Sequence, residues 1–469
     1  TGTKGTEYFD VLAIGGDEVL IRLYNKTKEG EKKAYPFYSR LFKSKETKEV
    51  RLFGLDGKDI YTIQGDATAK IKLRIVGGEE KDSVLARNTN LKTYIYDNDE
   101  NYIERGNKTR LKLKNDTAIH SYVFRSFLYD KKGISPIFFY SDEDRFYVGL
   151  GYAWEHHKWR KLPYAFKQSI GVNYSISQRA FSVGYKGLFP EAIGKLDLSL
   201  IANYDFVRWT NFYGLGNETL LTSDDKDYNR MRTTTALGKI GLHKKLANHA
   251  FSLDGFFESV QILDDDERYV NKIVSPLDAS VFDRNNFAGA MLGYRFAYLN
   301  DKAVPTSGIS FKGYASYTRN VERASQSFWK YSGDLQLYIP LISKFSLAIS
   351  SGASTVTGNP LFYQYPSIGG GMDLRGFQRQ RFYGKSAFYN SNELRFITNL
   401  KSYLLNGKIG FLAFVDDGRV WIPQEKSNTW HVGYGGGLLL APFNKVLFDV
   451  TYGMSDEDKV IQLRLNLNL

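Results

Sequence analysis

The sequence predicts an all-β protein: a 16-stranded antiparallel transmembrane β-barrel over residues 131–469, preceded by a small β-rich domain or connector over residues 1–130. Three observations carry this. No run approaches the ~20 consecutive apolar residues of a membrane helix, so a crossing of a bilayer would have to use strands, and only a closed barrel satisfies every strand's backbone groups there. From about residue 133 onward, apolar and polar residues alternate in segments of about ten, the length of a tilted membrane strand. The composition also fits strands with one greasy and one wet face: Tyr (33), Phe (32) and Gly (43) are abundant, Pro (11) is scarce, and mean hydropathy is −0.37.

The first 130 residues differ in texture from the rest. Tyr8 to Ile14, a turn at Gly15-Gly16-Asp17, and Val19 to Tyr24 read as a hairpin. Arg51-Leu52-Phe53-Gly54-Leu55-Asp56-Gly57-Lys58-Asp59-Ile60 is echoed by Arg74-Ile75-Val76-Gly77-Gly78-Glu79-Glu80-Lys81-Asp82-Ser83, which predicts two stacked strand-turn-strand units. Asp56, Asp59 and Asp82 could bind a hard cation such as calcium, although plain turn chemistry is the commoner reason for carboxylates at such positions. No amphipathic helix pair is evident in this region. The N-terminus, Thr1-Gly2-Thr3-Lys4-Gly5, has no hydrophobic signal core, so the chain is expected to be a processed form or a fragment.

In the second region, alternation places strands near 133–140, 146–154, 164–175, 179–188, 195–206, 232–244, 250–261 and 287–299. They continue near 308–318, 328–338, 345–353, 393–400, 407–421, 431–440, 446–453 and 460–469. Short links alternate with longer ones at 207–231, 263–286 and 359–392, as they do in barrels with short periplasmic turns and long external loops. The last segment is the clearest strand: Ile461, Leu463, Leu465, Leu467 and Leu469 alternate with Gln462, Arg464, Asn466 and Asn468.

Gly369-Gly370-Gly371-Met372-Asp373-Leu374-Arg375-Gly376-Phe377 lies on the sixth predicted external loop. It resembles the signature loop of the BamA/TamA superfamily, the bacterial surface antigen barrels that include outer-membrane insertases and two-partner secretion translocators. Asn392-Glu393-Leu394-Arg395-Phe396 and Phe414-Val415-Asp416-Asp417-Gly418 are similar to two strand motifs of that family. Pro305-Thr306-Ser307-Gly308 and Phe212-Tyr213-Gly214-Leu215-Gly216-Asn217 resemble its turn and its aromatic-glycine loop. The resemblance implies that Arg375, with Gly376 and Phe377, plugs into a socket formed by Glu393 and by Asp416 beside Gly418. Asp417 competes with Asp416 for the inward position. A loop Arg inside a lumen requires such carboxylates as charge-assisted partners.

That resemblance implies a bacterial outer-membrane location with residues 1–130 periplasmic. It also implies outer-membrane lipid and lipopolysaccharide contacts, a client polypeptide and accessory assembly subunits. Family members commonly carry periplasmic βααββ domains, which residues 1–130 do not suggest. The Gly/Asp-rich region resembles instead the connector of phosphoesterase-barrel fusions, which makes an anchor for a fused enzyme domain the alternative to insertion or translocation, and a passive diffusion porin the third reading.

Catalysis is not expected. The chain has no cysteine, and its six histidines, His120, His156, His157, His243, His249 and His431, show no metal-ligand spacing. There is no nucleophile elbow and no phosphate loop. The net charge of +12 is attributed to a basic lumen and loops; lipopolysaccharide phosphates are a possible counterpart, and no nucleic-acid signature is present.

Overall fold

The computed structural model describes residues 1–467 except 16, 66, 68, 79, 88, 99, 115–121, 125, 126, 142–144, 177, 178, 222, 224, 226, 275–278, 372, 404, 405, 424 and 445. It omits the side chains at 139–141, 145, 274, 279 and 464–467. Gly16, Glu79, His120, Met372, Asn468 and Leu469, and the side chains of Arg464, Leu465, Asn466 and Leu467, therefore lie outside the described residues. The chain divides into two compact units, Thr1–Phe127 and Leu128–Leu469.

The first unit is a stack of parallel rungs. Glu7–Ile14, Ile60–Gln64, Ser83–Leu85 and Tyr102–Glu104 pair in parallel in one sheet, while Glu49–Leu55, Lys72–Gly78, Thr93–Asp97 and Thr109–Leu113 pair in parallel in another. Their facing side chains, among them Phe9, Leu52, Tyr61, Ile63, Ile75, Val84 and Ile95, form one buried apolar core. Two antiparallel strands, Glu18–Asn25 and Tyr38–Lys43, extend the first sheet. Arg51 stands opposite Arg74 in the repeat, and a further rung follows in which Tyr94 stands opposite Arg74.

The second unit is a sheet of sixteen antiparallel strands in sequence order, from Lys131–Ser141 to Lys459–Leu467. One face carries exposed apolar side chains such as Ile240, Leu253, Leu292, Leu438, Ile461 and Leu463. Their neighbours Asp254, Asp449, Thr451 and Gln462 face the other way and are buried, which makes that side the lumen. The long link after the fifth strand joins those at 263–284 and 359–385 in an apolar cluster of Phe212, Met231, Ile262, Phe287, Leu361 and Tyr383. No helix is long and apolar enough to cross a membrane, among the described residues.

Strand ends generally run one to six residues beyond the alternation. The largest shift is in the twelfth strand, Ser386–Lys401, which begins well before Glu393 because Ser386 to Asn392 complete the ladder with Val415 to Trp421.

Candidate functional site

The link at 359–385 joins the eleventh strand, Phe345–Gly358, to the twelfth and is the sixth link at its end of the sheet. It carries Arg375, which is 2% exposed. Its socket is built by strand periodicity. In the register of the twelfth strand with the thirteenth, Asn406–Trp421, Ser391 stands opposite Asp416 and Glu393 opposite Phe414, so all four point into the lumen. Asp417 falls on the other face, where its carboxylate accepts from Asn390 at 3.2 Å.

Arg375 grips Asp416 bidentately, donating from Nε to Oδ2 and from Nη2 to Oδ1, each at 2.7 Å, while its backbone N–H donates to Oδ2 at 3.0 Å. Nη1 donates to Glu393 Oε1 at 2.6 Å and Nη2 to Ser391 Oγ at 2.8 Å. The guanidinium also lies 3.6 Å over the Phe414 ring. Glu393 uses its second oxygen to accept from Arg395 Nε at 2.6 Å. Two guanidiniums thus neutralise two buried carboxylates, the condition under which buried charge is tolerated.

Around this centre the backbones approach closely. Gly376 has φ 93° and sits against the Met454 carbonyl, and Ser455 Oγ donates to the Gly376 carbonyl at 2.8 Å. A Cβ on Gly433 would lie 1.7 Å from the Arg375 carbonyl oxygen. Phe377 is fully buried, edge-on to Phe382 and His431, and Gly418 leaves space for Ile368.

Sequence reasoning alone missed several members of the site. Ser391, Phe414 and Arg395 occupy inward positions that period-2 counting from Glu393 and Asp416 could have found. Arg381 forms a second buried clamp, donating to Glu457 Oε2 and Oε1 at 2.7 and 2.8 Å and to Thr219 Oγ1 at 2.6 Å. Asn217, at the end of the aromatic-glycine motif, donates from Nδ2 to the Val420 carbonyl and to Glu425, both at 2.8 Å. The Pro305-Thr306-Ser307 turn is held by Asn300, whose side-chain oxygen accepts from the Thr306 and Ser307 amides.

Asp56, Asp59 and Asp82, the candidate calcium ligands of the sequence, have hydrogen-bond partners within the first unit. Among the described residues no group of three His, Cys, Asp or Glu side chains is arranged to hold a metal. Asp56 accepts from the next amide, Gly57, as a turn residue. Asp59 and Asp82 belong to a vertical ladder: the Glu7 amide donates to Asp59, the Asp59 amide to Asp82 and the Asp82 amide to Asn101, each at 2.8 Å. Burial pushes the Asp59 carboxyl up to about 7 and that of Asp82 to about 8.

The arrangement around Arg375 is a network of ion pairs and hydrogen bonds between the 359–385 link and the twelfth and thirteenth strands. Residues 166–469 match the family model of the Omp85 superfamily domain. Among solved structures, the chain is similar to BamA from Haemophilus ducreyi lacking POTRA domains 1–3, with 17% identity, coverage of 72% of this chain and 70% of that one, and a TM-score of 0.54. It is also similar to CdiB from Escherichia coli, with 15% identity, coverage of 72% and 62%, and a TM-score of 0.46. No curated protein matches. With the match covering well over half the chain and the strand count, strand order and fold agreeing, the protein belongs to the Omp85 superfamily of outer-membrane β-barrels.

Proposed function

We infer that this barrel inserts polypeptides into the outer membrane or passes them across it, with residues 1–127 on the periplasmic side. The observation that carries the reading is the buried Arg375 held by Asp416 and Glu393. A passive porin reading leaves the Arg375-Gly376-Phe377 loop unexplained. Membership of the Omp85 superfamily supports the same reading at family level. The client polypeptide and any accessory subunits meet the chain at its lumen and at its first unit, and lipid and lipopolysaccharide meet its apolar outer face. No catalytic step is assigned.

A second reading is favoured by a different observation. The first unit is a stack of parallel rungs with no helix among its described residues, unlike the βααββ domains expected of a client receiver. On that reading the barrel anchors an enzyme domain attached through the stack. Depletion of the protein followed by an inventory of outer-membrane proteins separates the two. Loss of several unrelated barrel or secreted proteins supports insertion or translocation, whereas an unchanged inventory with loss of a single periplasmic or surface activity supports the anchor.

A further inference from the structure

The lumen wall carries a second charged site, unconnected with the Arg375 lock. Four neighbouring strands, Arg230–Leu246, His249–Ile262, Asn285–Leu299 and Gly308–Asn320, bring Lys245, Ala250, Arg295 and Lys312 into one row across the sheet. The next row toward the barrel centre is His243, Ser252, Gly293 and Tyr314. All point into the lumen, because their alternating neighbours Leu253 and Leu292 face out. The small residues Ala250, Ser252 and Gly293 floor a hollow of about 170 Å³, which Lys245, Arg295 and Lys312 rim at the short-turn end.

The charge pattern is costly as it stands. Arg295 and Lys312 are directly opposite one another in the ladder, a like-charge juxtaposition that destabilises a sheet; on its other side Lys312 faces Asp334, whereas Arg295 faces only Ala250. Among the described residues, none of the three cations forms an ion pair with a carboxylate. The nearby acids are engaged elsewhere: Asp254 takes Lys239 at 3.3 Å, Asp334 accepts from Tyr389 at 2.7 Å, and Asp197, which also lines the hollow, accepts from the Glu191 amide at 2.7 Å. His243 is turned to Ser199 at 2.6 Å.

We propose that this hollow binds a phosphoryl oxyanion, free or borne on a small molecule or lipid headgroup. A multiply charged tetrahedral anion relieves the repulsion between Arg295 and Lys312 and matches the planar fork of Arg295. The Ser252 and Tyr314 hydroxyls supply neutral donors beside the cations. The hollow has room for one such group.

The test is calorimetric titration of the full chain, folded in uncharged detergent at low salt, with inorganic phosphate and, separately, with short-chain phosphatidic acid. Arg295→Gln with Lys312→Gln removes the charge, while Ala250→Phe fills the hollow and leaves the charge in place. Heat modifiability on a gel checks that each variant is folded; if the double variant fails to fold, Lys312→Gln alone replaces it. The wild type is expected to bind one equivalent of at least one probe. Each variant is expected to bind at least about tenfold more weakly, since charge-assisted hydrogen bonds are lost or blocked. Binding of phosphate and the lipid alike assigns a free phosphoryl ligand, and binding of the lipid alone assigns a headgroup. Binding of neither probe, or undiminished binding in Ala250→Phe, overturns the proposal.

Discussion

Gly433→Ala should expel the sixth link from the lumen without breaking any strand pairing. Gly433 lies in the fourteenth strand, His431–Pro442, directly beneath the backbone of Arg375; an added Cβ would stand 1.7 Å from the Arg375 carbonyl oxygen and 2.9 Å from its carbon. Non-bonded heavy atoms settle at about 3.5 Å, so the link must retreat by roughly 1.5–2 Å. That shift takes the 2.7 Å contacts to Asp416 beyond hydrogen-bond reach, which ends near ~3.5 Å. Asp416 and Glu393 are then left buried with an incomplete counter-charge, a loss on the order of 3–5 kcal/mol. Because the chain contains no cysteine, Leu374→Cys gives a single buried reporter on the link. Maleimide labelling of that reporter should accelerate at least about tenfold in Gly433→Ala, each ~1.4 kcal/mol of lost closure being a factor of ten. Gly436→Ala, on the outward face of the same strand, meets only the Leu412 carbonyl at 3.2 Å and serves as the control. Equal labelling in the two variants would refute the claim that close backbone approach seats the link.

Further outcomes follow from other parts of the molecule. In a double-mutant cycle, Arg375→Ala and Asp416→Ala should couple strongly, the pair losing less unfolding free energy than the sum of the singles; additivity would mean that the bidentate contact carries no energy. Leu292→Arg should block barrel assembly, at a cost of ~2–4 kcal/mol near the lipid midplane, whereas its neighbour Met291→Arg, opposite Asp254 in the lumen, should fold; matching heat-modifiability on a gel would invert the facing assignment. The first unit should lose stability as pH rises. Asp59 and Asp82 hold their protons to about 7 and about 8 when folded but release them near 4 when unfolded, so the folded state binds more protons between those values. Proteolysis of residues 1–127 in the full chain should therefore be faster at pH 8.5 than at pH 5, and Asp59→Asn should flatten that difference; slower cleavage at pH 8.5 would contradict the burial argument.

The barrel was legible because period-2 alternation is strong where one face meets lipid and the other water. It faded where that contrast fades. Ser386 to Asn392 were not read as strand because polar Asn390 and Asn392 occupy the outward positions near the end of the ladder. The doubled Asp416-Asp417 left the inward carboxylate ambiguous in sequence; the partner strand decides it, by setting Ser391 opposite Asp416. Gly433 left no mark, being one glycine of 43 whose importance depends on a link more than fifty residues upstream. In the first unit the repeat was visible in two copies, but the next rung replaces the ladder Asp with Asn101 and changes the spacing, so only register reveals it.

The most direct measurement is reconstitution of the purified full chain into liposomes, followed by the rate at which an unfolded outer-membrane barrel protein becomes protease-resistant when added outside. Wild-type liposomes should speed this folding well above empty liposomes, and Arg375→Ala, shown to be folded by heat modifiability, should lose most of that gain. Folding no faster than in empty liposomes would contradict the insertion reading and leave the barrel as an anchor.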